Sequence, residues 1–158
     1  MILGALAGGL IGTIVLTTGS RLAQQLGWTR MDIPLLLGTV FTAERGRAIA
    51  VGYAIHFANG LLFSLVYGLI FEATGEANWV FGLALGAAHG AIAGGGLLNV
   101  LLPVVHPRMG KPWTDARSTP LLEPPGFLLS NYGRTTLVWT FALHLVYGAI
   151  VGLFAGLS

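Results

Sequence analysis

The chain predicts an all-α fold: a transmembrane four-helix bundle made of two tandem helical hairpins, with a pseudo-twofold axis along the membrane normal. Three observations carry this. Only 9% of the 158 residues are charged while 54% are hydrophobic, and mean hydropathy is +0.78; an ordinary soluble domain carries about 25% charged residues. Four stretches, about 1 to 19, 48 to 71, 79 to 102 and 135 to 157, reach the roughly 20 apolar residues that a helix needs to cross a bilayer. Finally, the order of motifs in the first half returns in the second.

The first stretch lacks a basic region before its apolar run and a small-x-small site before Arg21, so it is expected to be a retained span rather than a cleaved signal. It reads GALAGGLIGTIV from Gly4, with small residues at Gly4, Gly8 and Gly12. The connection after it, residues 20 to 47, holds Arg21, Arg30, Arg45 and Arg47 and the run WTRMDIPLL. Asp32 two residues before Pro34 marks a helix N-terminus, since Asp caps free amides and Pro is tolerated in the first turn. Trp28 belongs at the headgroup level, where indole rings partition.

The second stretch carries Gly52, Gly60, Ser64 and Gly68 every four or eight residues, and the missing member of that series is His56. Glu72 and Glu76 lie in the short connection 72 to 78. The third stretch has Gly82, Gly86, Gly90 and Gly94, and places His89 where the first has Ile11. The second long connection, 106 to 134, is rich in proline, with Pro107, Pro112, Pro120, Pro124 and Pro125, and holds Arg108, Lys111, Arg117 and Arg134. Both long connections are expected to be interfacial elbows, too short and too interrupted by Pro and Gly to build a core of their own, with Trp113 at the headgroup level and His106 contacting headgroups. In the fourth stretch, His144 precedes Gly148, Gly152 and Gly156 in one series.

The repeats are expected to cover 1 to 71 and 79 to 157 of a single transmembrane domain, 1 to 158. Glycines 4, 8 and 12 match 82, 86 and 90; WTRMDIPLL matches WTDARSTPLL; Gly46-Arg47 matches Gly133-Arg134; and YAIHFANG from Tyr53 matches FALHLVYG from Phe141, setting His56 on His144. All eight Lys and Arg fall in the two long connections. The positive-inside rule therefore places both elbows in the cytoplasm and both termini on the other side. Basic elbows also suit anionic headgroups, so the pI near 9.4 does not imply nucleic acid.

The combination of MDIPLLLG, a Pro-rich second elbow ending NYG and two H-x-x-x-G helices resembles uncharacterised small four-span bacterial integral membrane proteins. That resemblance implies a bacterial inner (cell) membrane location and brings no activity or site residues with it.

Chemistry is narrowed by what is missing. There is no cysteine, hence no disulfide, thiolate site or covalent c-type haem. The span interiors hold no carboxylate, which argues against hydrolytic acid-base work and carboxylate-driven ion coupling, and no phosphate loop is present. The candidate cofactor-binding residues are His56, His144 and His89: two imidazoles on facing helices suit a haem b, three suit a metal, and a row with Tyr53, Tyr67, Asn99 and Tyr147 suits proton passage. Equally, a buried His or Asn, Asn59 and Asn99 included, locks helices together. The glycines Gly4, Gly8, Gly12, Gly52, Gly60, Gly82, Gly86, Gly90, Gly94, Gly148 and Gly152 form a glycine-zipper packing surface. The leading expectation is a non-enzymatic accessory or structural subunit, with the lipid bilayer and other membrane subunits or further copies as partners. The alternatives are a haem-binding electron carrier and a small transporter or channel.

Overall fold

The computed structural model describes residues 1 to 111 and 122 to 158. Trp113 and the proposed WTDARSTPLL match lie outside the described residues. The elements are α1 (Ile2–Gln25), α2 (Ile33–Gly38), α3 (Arg45–Thr74), α4 (Trp79–Ala91), a π-helical segment (Ile92–Leu101), α5 (Leu102–Val105), a 3-10 turn (Phe127–Tyr132) and α6 (Thr136–Gly156). α4, the π segment and α5 run on as one third span, Trp79–Val105, so four helices are long and apolar enough to cross a membrane. The protein is an all-α, multi-pass bundle.

Local chemistry sets the boundaries. Asp32 accepts from Leu35 N at 3.0 Å with Pro34 in the first turn, as the sequence suggests. Glu44 accepts from the amides of Gly46 and Arg47 at 2.7 and 2.8 Å and starts α3, and Asn78 accepts from Phe81 N at 2.9 Å to start α4. Gly75, at φ 72°, ends α3 in the left-handed conformation that glycine adopts freely. Because these caps lie beyond the apolar runs, Arg21, Arg45 and Arg47 sit on helix ends rather than in loops.

The helices are arranged as an arc: α3, α1, α6, then the third span. Three seams in this arc bring backbones together through glycine. A Cβ on Gly82 would overlap the Gly148 carbonyl, and one on Gly86 the His144 carbonyl, so α4 lies directly on α6. Gly4 and Gly8 meet Phe154 and Val151, and Gly12 meets Tyr147, again on α6. On the third seam, Gly60 of α3 abuts Thr13 of α1, and Gly68 abuts Ala5 and Ile2. The matched stripes of α1 and α4 thus grip the same helix, α6, and the two hairpins are packed differently.

The fourth seam, α3 against the third span, has no such backbone approach. It is bridged by rings: Phe71 on Phe81 at 5.5 Å, Phe63 stacked on His89 at 3.9 Å and Tyr67 against His89 at 6.0 Å. Buried Ala5, Leu16, Tyr67, Phe71, Tyr147, Val151 and Ala155 form the membrane core.

One expectation about the elbows, that on His106, is overturned. The two connections also share a core with the end of the third span: Met31, Leu36, Leu102, Met109, Leu129 and Tyr132 are buried together. Neither connection could do so alone, but Arg30 N donates to Tyr132 O at 2.6 Å, Thr29 and Thr136 share a hydroxyl bond at 2.8 Å, and Trp28 stacks on Trp139 at 4.8 Å. Burial within this cap and nearby Glu123 push the Tyr132 hydroxyl up to about 12, against the opposing effect of Arg30. His106, in turn, contacts no headgroup; it is fully buried. Its Nε2 donates to Leu36 O at 3.1 Å, beside Thr39 Oγ1 at 3.3 Å, and its Nδ1 accepts from Arg108 N at 3.1 Å. Every polar atom of a neutral ring is used, which makes burial affordable.

A candidate intramembrane ligand site

The open fourth seam encloses a cavity of about 230 Å³ on the elbow side of the bundle. Its roof is α2 and the chain before it, through Met31, Ile33 and Leu37. Its apolar wall is the end of the third span: Ala93, Leu97, Leu98, Leu101, Leu102 and Val105. Polar groups enter from the other helices, Ser20 of α1, His56 and Asn59 of α3, and Thr140 and His144 of α6.

Each wall has a local cause. α2 is held against α3 because Gly38 and Gly52 lack side chains: a Cβ on either would overlap the carbonyl of Ala48 or Pro34. His106 then ties the end of the third span to α2, so α2 bridges the two helices that do not meet directly. The π segment contains Gly94, Gly95 and Gly96, whose conformational permissiveness suits a widened coil. A Cβ on Gly95 or Gly96 would meet nothing within 4 Å. π-helical turns recur at functional sites, and this one supplies much of the wall.

The three predicted histidines are brought close in unequal ways. His89 and His144 are in ring contact at 4.6 Å, and His56 and His144 line the same cavity. His144 Nδ1 lies 2.6 Å from Thr140 O. A carbonyl only accepts, so the proton is on Nδ1 and Nε2 of the uncharged ring keeps a bare lone pair. His89 Nδ1 is 3.3 Å from the Tyr67 hydroxyl. His56 touches Phe57 edge-on at 6.3 Å and makes no hydrogen bond among the described residues.

The alternatives drawn from the sequence separate on this geometry. Among the described residues no three His, Asp or Glu side chains converge as a metal set. A haem held between His56 and His144 would have to displace His89, whose ring already lies 4.6 Å from that of His144. The proton row is interrupted. Tyr147 gives its hydroxyl to Gly60 O, Tyr53 accepts from Arg21 at 2.9 Å at the helix end, and Asn99 accepts from Leu129 N at 3.3 Å near the elbow. Asn99 ties the third span to the 3-10 turn, whereas Asn59 is exposed and joins the cavity.

Thr140 is the residue the sequence reading passed over. Its side chain is 6% exposed, and its hydroxyl has no hydrogen-bond partner among the described residues. An orphaned buried hydroxyl costs about 1–3 kcal/mol. The signal was present: in the expected repeat Thr140 stands opposite Gly52, four residues before the histidine, where a packing glycine was the matched residue. No family model, no curated protein and no solved structure matches the chain.

Proposed function

We propose that this is a non-enzymatic membrane protein that takes a small, largely apolar molecule with one polar group into the cavity between its two halves, as a binding protein or carrier. The carrying observation is the cavity itself, left where α3 and the third span do not meet and lined by His56, which makes no hydrogen bond among the described residues. Beyond His89 the core is filled by Tyr67, Phe71, Tyr147 and Val151, which favours a site open from one side over a channel. Leu98→Trp would fill the cavity. Solvent extracts of the purified wild type should contain a retained small molecule that extracts of this variant lack, and identical extracts would refute the reading.

The accessory-subunit reading rested on surplus glycine, and most of the glycine stripes are used inside the bundle. Gly95 and Gly96 alone on the third span are left facing open space, and a helix of another subunit or copy would fit there. A complex in mild detergent that Gly95→Leu dissociates would establish it; a monodisperse single chain would not.

The location we infer is the bacterial inner membrane, with elbows cytoplasmic and termini outside, from the eight basic residues and the family resemblance. The cysteine-free chain allows a clean check. A Ser158→Cys variant should react with an impermeant thiol reagent added to intact cells whose outer membrane has been removed; labelling only after lysis would invert the topology.

A further inference from the structure

Building on the ligand-site reading above, the free polar atoms of the cavity define the head of the molecule it takes. His144 Nε2 offers a lone pair and no proton, because Nδ1–H is committed to Thr140 O. His56 in its uncharged form offers one of each.

Charge is excluded on both sides. No carboxylate lines the cavity, so a cationic head has no counter-charge. The nearest guanidinium, Arg21, lines a small adjoining pocket with Ser20, Gln24 and His56. It is already tied to Asp32 at 3.0 Å, to Gln24 at 3.0 Å and to the Tyr53 hydroxyl at 2.9 Å, so an anionic head has none to claim. An uncompensated charge in such surroundings is costly. Among neutral heads, a carbonyl can accept from His56 but leaves the His144 lone pair empty. A hydroxyl donates and accepts at once.

Size and access set the tail. At the ~30 Å³ that one water occupies, the cavity has room for roughly eight non-hydrogen atoms. A longer chain would leave sideways between α3 and the third span, where the backbones do not meet. We propose that the cavity binds an uncharged long-chain alcohol, its hydroxyl between His56 and His144 and its chain along Leu97, Leu98 and Leu101.

The test uses the full chain in bilayers of phosphatidylethanolamine and phosphatidylglycerol, labelled by a diazirine-bearing octanol. Adducts should map to the peptides carrying Phe63, Leu97 and Leu101. Unlabelled n-octanol should suppress them, and methyl hexyl ketone should need a concentration roughly two- to tenfold higher, the value of one neutral hydrogen bond. His56→Phe, similar in shape, should weaken n-octanol competition within the same range, and the wild-type competition stands even if that variant misfolds. Equal competition by ketone and alcohol would overturn the hydroxyl assignment while leaving the ligand site in place. Adducts spread over lipid-facing Leu3, Val66 and Val100, with no competition, would overturn both and leave the cavity to water.

Discussion

The seam between α4 and α6 and the seam between α3 and the third span are built from similar apolar sequences and behave oppositely. In the first, Gly82 and Gly86 face Gly148, Gly152 and the His144 backbone, so main chains touch along the helix. In the second, Phe63, Tyr67, Phe71 and Phe81 hold the helices apart. Lipid chains solvate apolar side chains as well as protein does, so close packing rather than hydrophobic burial drives association inside a bilayer. A glycine seam therefore closes, and an aromatic seam leaves space that the helix ends must roof over. The cavity follows from that difference.

The largest expected effect lies on the closed seam. Gly148→Ala places a methyl against the Gly82 carbonyl and the Gly86 main chain, which no rotamer can relieve. It should lower stability by about 2–3 kcal/mol, read as a fall in thermal midpoint in detergent. A loss below about 0.5 kcal/mol would mean that the seam is looser than described.

The roof of the open seam comes next. His106→Ala removes the donor to Leu36 O and the acceptor for Arg108 N, and should cost about 1–3 kcal/mol. It also carries a pH signature. Burial, with Arg108 and Lys111 nearby, holds the folded His106 below its ordinary value of 6.5, despite the opposing bond to Leu36. A depressed pKa means that the unfolded chain binds the proton more readily, so this contribution is full above about pH 6.5 and declines as pH falls below it. His106→Ala should flatten that decline; an unchanged slope would remove His106 as its source.

The smallest effect, and of opposite sign, belongs to the open side. A Cβ on Gly95 meets nothing within 4 Å, so Gly95→Ala should stabilise by about 0.5–1 kcal/mol through the unfolded chain's lost freedom. Destabilisation would show that the π-helical segment needs glycine for its backbone and not merely for room. Together with Gly148→Ala it gives one substitution with opposite outcomes on the two sides of the third span.

Much of this was legible in the chain. Sparse charge and four long apolar runs dictate membrane helices, because no other open structure satisfies its backbone in hydrocarbon. Asp32 with Pro34 announced α2, and the periodic glycines announced which faces pack. The histidines were visible as exceptions within those series. The sequence could not say which neighbour each glycine stripe meets, and here Gly4, Gly8 and Gly12 share α6 with Gly82, Gly86 and Gly90 although the expected repeat would make them counterparts. Periodicity fixes a face of a helix; the partner is chosen by how four helices fill space at once. For the same reason the tertiary structure alone decided that His106 is buried, that Thr140 is left without a partner among the described residues, that the third span widens into a π-helix, and that about 230 Å³ stays open between helices whose side chains are too large to let their backbones meet.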